Sequence, residues 1–224
     1  MPAEKKMHNP LGIDPCDEQQ HPIFNATTQK RNVVDTRTGL FEVYVPLPKV
    51  TANEGRGPIV DLGLFYTPVV NNHACLGDGW SFGFTFYNEK LKKLTLSSGE
   101  VLKFDKAQIS LDISSIKVSL EPGEVERILV ALADKHSERL EKLEGTDLWV
   151  PVELSTPEFH SLTLRWEASK ENGVTYIQLR EVKDYTRTLA LIDYDGINAQ
   201  TRSRSVRINF WPNDDERLTY LLEQ

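Results

Sequence analysis

Ser81 has the surroundings that most resemble a reactive centre in this sequence. It lies in Gly79-Trp80-Ser81-Phe82-Gly83, the Gly-x-Ser-x-Gly spacing of a nucleophile elbow. An elbow exposes its serine hydroxyl on a sharp turn from a strand into a helix. Here the residues after Ser81 continue an alternation, Phe82, Phe84 and Phe86 against Gly83 and Thr85, and no helical period follows. The motif therefore reads as a glycine-flanked start to a buried aromatic strand, because a motif needs its structural context.

The other reactive residue types form no constellation. His8, His21, His73, His136 and His160 fall in no metal-ligand spacing such as His-Glu-x-x-His. His8, Cys16 and His21 share one polar stretch but lack a fourth ligand. Asn25-Ala26-Thr27 fits a glycosylation acceptor, which matters only in a secreted chain. Carboxylates are plentiful but scattered over turns and outer faces, with no pair set up as acid and base. The expectation is a non-enzymatic chain with no catalytic, cofactor-binding or metal-binding residues. The stripe Trp80, Phe82, Phe84, Phe86 could stack sugars, yet alternate aromatics on a strand more often fill a core. Trp149, Trp166 and Trp211 are read the same way, as packing residues.

Bulk properties narrow the partners. The chain has 224 residues, 39% of them hydrophobic, enough to bury a core without staples. Its net charge of −7 argues against a broad nucleic-acid footprint. The one local basic run, Arg202, Arg204 and Arg207, reads as a solvated strand face or a guarded edge. Two cysteines, Cys16 and Cys75, are too few for a disulfide framework and suit a reducing compartment. No apolar run is long enough to span a bilayer, and the start, MPAEKKMHNPLGIDP, has no signal-peptide core. The expected site of synthesis is the cytoplasm, with any export by a route that cleaves no signal.

These residues need elements to position them, and the elements read as strands. Residues 1–32 are polar, proline-dotted and aperiodic, an arm ahead of a single β-rich domain at 33–224. Phe41, Val43, Val45 and Leu47 alternate against Glu42 and Tyr44, after a turn at Asp35–Gly39 and before Pro46-Leu47-Pro48. That apolar face requires a covering layer. Val60, Leu62, Leu64 and Tyr66 alternate next, and residues 90–105 read as a hairpin around Ser98-Gly99. The apolar phase shifts between Ile109–Ile113 and Ile116–Leu120, which places a bulge or turn at Ser114-Ser115. Later strands centre on Leu162–Trp166, Ile177–Leu179, Leu189–Tyr194, Val206–Phe210 and Leu218–Leu222, linked by turn residues such as Asn172-Gly173 and Asp195-Gly196. Residues 124–145 read two ways. Val125, Leu129, Leu132, Leu140 and Leu143 lie near helical spacing, but 127–133 and 138–143 also read as a hairpin. The neighbours favour the hairpin. The fold class is all-β, mainly antiparallel hairpins in a meander, as a large twisted sheet or sandwich, with a short helix at 124–145 as the alternative.

Several stretches resemble the opening part of RHS-repeat (YD-repeat) proteins. They are VDTRTGLFEVYVPLP, NEGRGPIVDLGLFYTP, LGDGWSFGFTFY and KLTLSSGEVLKF, with SLTLRW and ALIDYDG fitting a later, looser part. The likeness is specific over 34–104 and beyond that rests on strand rhythm. Such proteins coil β-hairpins into a hollow shell around a toxin, in type VI secretion effectors and in the C component of Tc toxins. The resemblance implies a structural wall component from the start of such a shell. Its partners would be the remaining shell or toxin segments, and its export would use a specialised secretion system. The chain departs from the family in having a single Tyr194-Asp195-Gly196 echo rather than tandem repeats. A carbohydrate-binding β-sandwich is the competing reading. A severed wall would expose sheet edges, and Leu218-Thr219-Tyr220-Leu221-Leu222, flanked by Arg217 and Glu223, could then join two copies as a homodimer.

Overall fold

The computed structural model describes residues 33–34, 40–68, 76–107, 110–113, 115–132, 136–171, 173–198, 200–201 and 203–223. The arm 1–32, the turn at 35–39, and His8, Cys16, His21, Asn25, His73, Cys75 and Arg202 lie outside them.

Among the described residues there are nineteen strands, all paired antiparallel, and one short 3-10 turn, η1, Asn53–Gly55. The fold is all-β. Early strands are short: β1 Val33–Val34, β2 Phe41–Val45, β3 Lys49–Thr51, β4 Ile59–Asp61, β5 Leu64–Tyr66, β6 Trp80–Phe82, β7 Phe86–Asn88, β8 Lys93–Thr95 and β9 Val101–Lys103. Later strands lengthen: β10 Ser110–Ile113, β11 Ile116–Glu121, β12 Arg127–Leu132, β13 Ser137–Lys142, β14 Leu148–Ser155, β15 Ser161–Glu171, β16 Val174–Asp184, β17 Thr188–Tyr194, β18 Ser205–Phe210 and β19 Leu218–Glu223.

Strands β10 to β19 pair in strict chain order as one meander, the backbone of a thirteen-stranded sheet. The sheet forks at β14. Leu148 and Trp149 pair with β7, whereas Glu153–Ser155 pair with β15, so β7–β8–β9 branches from the same edge. A four-stranded sheet, β1-β2-β5-β6, and the β3–β4 pair complete the fold.

Register shows where the core lies. Opposed residues share a face, and so do residues two apart. Leu140 and Glu138 therefore share a face with Leu154, which opposes Glu138, and with Leu162, which opposes Leu154. The earlier strands cover this face in two places. Tyr87, Leu94, Leu102 and Phe104 pack with Val118, Ile128, Leu140 and Trp149. Val60, Leu62, Leu64, Phe82 and Phe84 pack with Leu162, Leu179, Ile192 and Ile208.

Strands β12 and β13 pair as the hairpin, and 124–145 holds no helix among its described residues. Ile128 and Val130 are fully buried with period two, so sheet pairing overrides the helical composition. Strands β10 and β11 pair antiparallel with Ile113 opposite Ile116, in keeping with the phase shift. Two expectations need correction. The strand starting at Phe41 ends at Val45, and Phe41 and Val45 are exposed although they share a face with buried Leu64 and Phe82. The cover reaches Leu64 and Phe82 but stops short of β2. The Trp80–Phe86 stripe is two strands in different sheets rather than one, broken where the Phe84 amide donates to the Phe82 carbonyl at 2.9 Å.

Candidate functional site

Ser81 lies in the middle of β6, opposite Phe65 of β5, and the next element is strand β7. A strand-to-helix elbow is not formed there. The two glycines of the motif have packing reasons instead. Gly79 has φ +79°, and a methyl group on it would lie 2.8 Å from both the Tyr66 ring and the Thr67 carbonyl oxygen. On Gly83 a methyl group would meet the Phe65 ring at 2.6 Å. The aromatic stripe is core: Phe82 and Phe84 are buried, and Trp80 and Phe86 pack against the same cluster. Trp149 is buried, and Trp166 and Trp211 are partly buried against the core.

The polar side chains are gathered into knots that join distant segments. Tyr44 of β2 donates to Asp61 at 2.9–3.0 Å, and the Gly63 amide donates to the same carboxylate at 2.9 Å. Burial, followed by the bond to Asp61 and its negative charge, pushes the Tyr44 hydroxyl up to about 12. That phenol stays neutral and acts as a donor.

The second knot centres on Glu89, just after β7. It accepts from Lys142 at 2.5 Å and Lys106 at 2.9 Å, and its amide donates to the Asp147 carbonyl at 2.9 Å. Lys106 lies 4.2 Å from the centre of the Trp149 ring and pairs with Glu126 at 2.6 Å. Bonds from Lys142 and then Lys106 outweigh burial and hold the Glu89 carboxyl at about 2, below its ordinary 4.5. A folded value below the unfolded one stabilises the fold above pH 4.5, and the effect is lost as pH falls towards 2. The side chain is 31% exposed, so water screening reduces the contribution to about 1–2 kcal/mol. Glu89→Gln should lose that amount at neutral pH and match the wild type near pH 2, read from urea melts across pH. Parallel wild-type and variant curves across that range would show that the knot does not act through charge.

In the third knot, Asp184 at the end of β16 is buried and accepts from the Asn53 amide at 2.8 Å, the Thr186 amide and hydroxyl at 2.8 Å and the Arg187 amide at 2.9 Å. Burial pushes its pKa up, but the bonds from Asn53, Arg187 and Thr186 outweigh it and leave the carboxyl below its ordinary value. The Asn53 side chain donates in turn to the Ser161 carbonyl at 3.1 Å. This joins the η1 loop to the end of two meander hairpins.

Of the basic run, Arg207 is exposed on the outer face of β18, as expected of a solvated face, but Arg204 is not. Arg204 is buried, pairs with Glu171 at 2.5 Å and lies over the Tyr176 ring. Arg207 is on β18, which β19 covers, so it guards no edge. Among the described residues no group of three or more His, Cys, Asp or Glu could hold a metal, and no helix is long and apolar enough to cross a membrane.

The two most exposed aromatics lie at one end of the meander. Leu162 opposes both Leu154 and Asp184, so the β14–β15 and β16–β17 turns leave the sheet at the same end. Their tips carry Phe159, 93% exposed with φ +64°, and Tyr185, 96% exposed. A phenylalanine with positive φ is uncommon, and strain of this kind collects at functional places. Sequence reading missed both, since neither belongs to an alternating run.

No protein-family model matches the chain, the RHS-repeat family included, and no curated protein matches it. Among solved structures it is similar to the N-terminal domain of effector protein SpvB from Salmonella typhimurium strain LT2. That likeness is 14% identical, covers 80% of this chain and 91% of that one, and has a TM-score of 0.44.

Proposed function

We propose that this chain is a non-catalytic structural β-sheet module of the kind that begins an RHS-type shell, enclosing or supporting a secreted toxin. The observation that carries the reading is the ten-strand meander β10–β19, each strand paired to the next in chain order. Such a ribbon grows by adding strands at its ends, and short antiparallel connections suit a wall. The polar knots fit this reading, because their charges are spent on joining segments. The resemblance over 34–104 supplies the family. Its partners are the remaining wall or toxin segments, and its export uses a specialised secretion route without a cleaved signal.

Cryo-electron microscopy of the chain, expressed with whatever its reading frame encodes beyond codon 224, tests this reading. The expected image is a hollow shell of hairpins with β10–β19 built into its wall. A solid particle in which the meander faces no interior would reject it.

A carbohydrate-binding module is the second reading, and Phe159 and Tyr185 favour it, since sugars stack on exposed rings. Binding on a glycan array that is abolished by Phe159→Ala or Tyr185→Ala would displace the wall reading.

A further inference from the structure

Strand β19 is the edge of the large sheet, with β18 its only partner among the described residues. Its other side presents a row of unpaired backbone donors and acceptors, to which an extended strand is the complementary ligand. Leu218, Tyr220 and Leu222 oppose Phe210, Ile208 and Val206, so they continue the core face. Tyr220 meets the Phe210 ring edge-on at 5.7 Å. The cover thins out here, leaving Leu218 45% and Tyr220 37% exposed, while Leu221, on the outer face, is 54% exposed. No charge interrupts 218–222, and natural edges are usually blunted by one. The segment is apolar, rich in β-formers and free of proline, the composition that pairs strand to strand.

The order of residues identifies the occupant. The sequence is Arg217-Leu-Thr-Tyr-Leu-Leu-Glu223. Two antiparallel copies centred on Tyr220 place Leu218 opposite Leu222 and Thr219 opposite Leu221, with Arg217 opposite Glu223 at both ends. Sliding by two residues one way sets Glu223 against Asp215, a like charge, and the other way sets it against Thr219. Sliding by one residue turns the core face of one copy onto the outer face of the other. Among the described residues neither Arg217 nor Glu223 has an ion-pair partner within its own chain. The other end of the meander, β10, has four residues and carries Asp112 within it. Pairing β19 with β10 of another copy would be head-to-tail, giving a ring or an open filament rather than a symmetric dimer.

We propose that β19 is a self-recognition edge: a second copy of this chain pairs with it antiparallel, centred on Tyr220, and Arg217–Glu223 ion pairs set the register. The two-fold axis runs perpendicular to the sheet, so the two core faces become continuous. The proposal names the occupant of one end of the wall proposed above, and it holds whether or not that wall encloses a toxin.

Sedimentation velocity of the 224-residue chain, from micromolar to millimolar protein, is the test. The wild type should pass from monomer to dimer with rising concentration, since a one-strand interface belongs to the weak class. Arg217→Glu alone and Glu223→Arg alone should each weaken association about tenfold, because each sets like charges opposite one another at both ends. The double variant Arg217→Glu/Glu223→Arg should restore it, an outcome that mere surface disruption cannot give. Leu221→Lys should abolish it. A monomer at every concentration, association indifferent to charge reversal, or a double variant that does not recover would each overturn the proposal. Failure here alongside a hollow shell in the microscope would leave the wall reading standing and assign β19 to a different strand.

Discussion

Phe84→Ala should lower the free energy of unfolding by about 3–5 kcal/mol, the usual range for a buried phenylalanine. Phe84 is 8% exposed and meets Trp166 edge-on at 5.4 Å and Phe82 at 6.3 Å. It lies where the chain leaves β6 of the small sheet for β7 of the large one. Truncation therefore opens a cavity at the seam between two sheets, and the backbone bond from the Phe84 amide to Phe82 prevents easy collapse. Phe82→Ala should behave alike, because Phe82 is buried in the same cluster. Ser81→Ala, one residue away on the opposite face, should be nearly neutral and is the control. Urea melts decide the matter: phenylalanine variants that melt with the wild type would mean that the stripe is not core.

Asp184→Ala should cost about 2–4 kcal/mol, because a buried carboxylate that accepts several charge-assisted bonds is removed while its donors remain. The loss should be local first. Native-state hydrogen exchange should quicken at Asn53 and Arg187, whose amides the carboxylate holds. Asp184→Asn should recover only part, since its amide nitrogen must face one of the two sets of N–H donors. The folded pKa is below the unfolded value, so the contribution is complete at neutral pH and disappears as pH falls through the carboxylate range. Wild type and Asp184→Ala should therefore converge in acid. A constant gap down to low pH would show that the aspartate acts through packing alone.

The hairpins were legible because their information is local. Alternation with a glycine or serine turn located β8–β9, and paired apolar runs located β12–β13 despite a helical composition. Strand β14 was missed because Pro151 interrupts it, and the register shift across β13–β14 accommodates that proline. The break at Gly83 was missed because alternation survives a kink: Phe82, Phe84 and Phe86 still point into one cluster from two sheets. The exposed Phe41 was misjudged because periodicity shows which residues share a face, not how far the opposing layer extends. The polar knots were illegible for a different reason. Glu89 meets Lys142 across 53 residues and Asp184 meets Asn53 across 131, and no local pattern records such a partner.

That last separation sets a clock on synthesis. The η1 loop leaves the ribosome long before its clamp exists, since Asp184 is added 131 residues after Asn53. At roughly 5–20 residues per second that interval is about 7–26 s. For much of it β7 lacks β14, and the β15–β18 surface that buries Val60, Leu62 and Phe82 is completed only after Asp184. The meander, whose pairings are between neighbours in the chain, can zip up as each hairpin emerges. The nascent protein therefore assembles from its younger half backwards, and its oldest segments stay sticky until β15–β18 have been made.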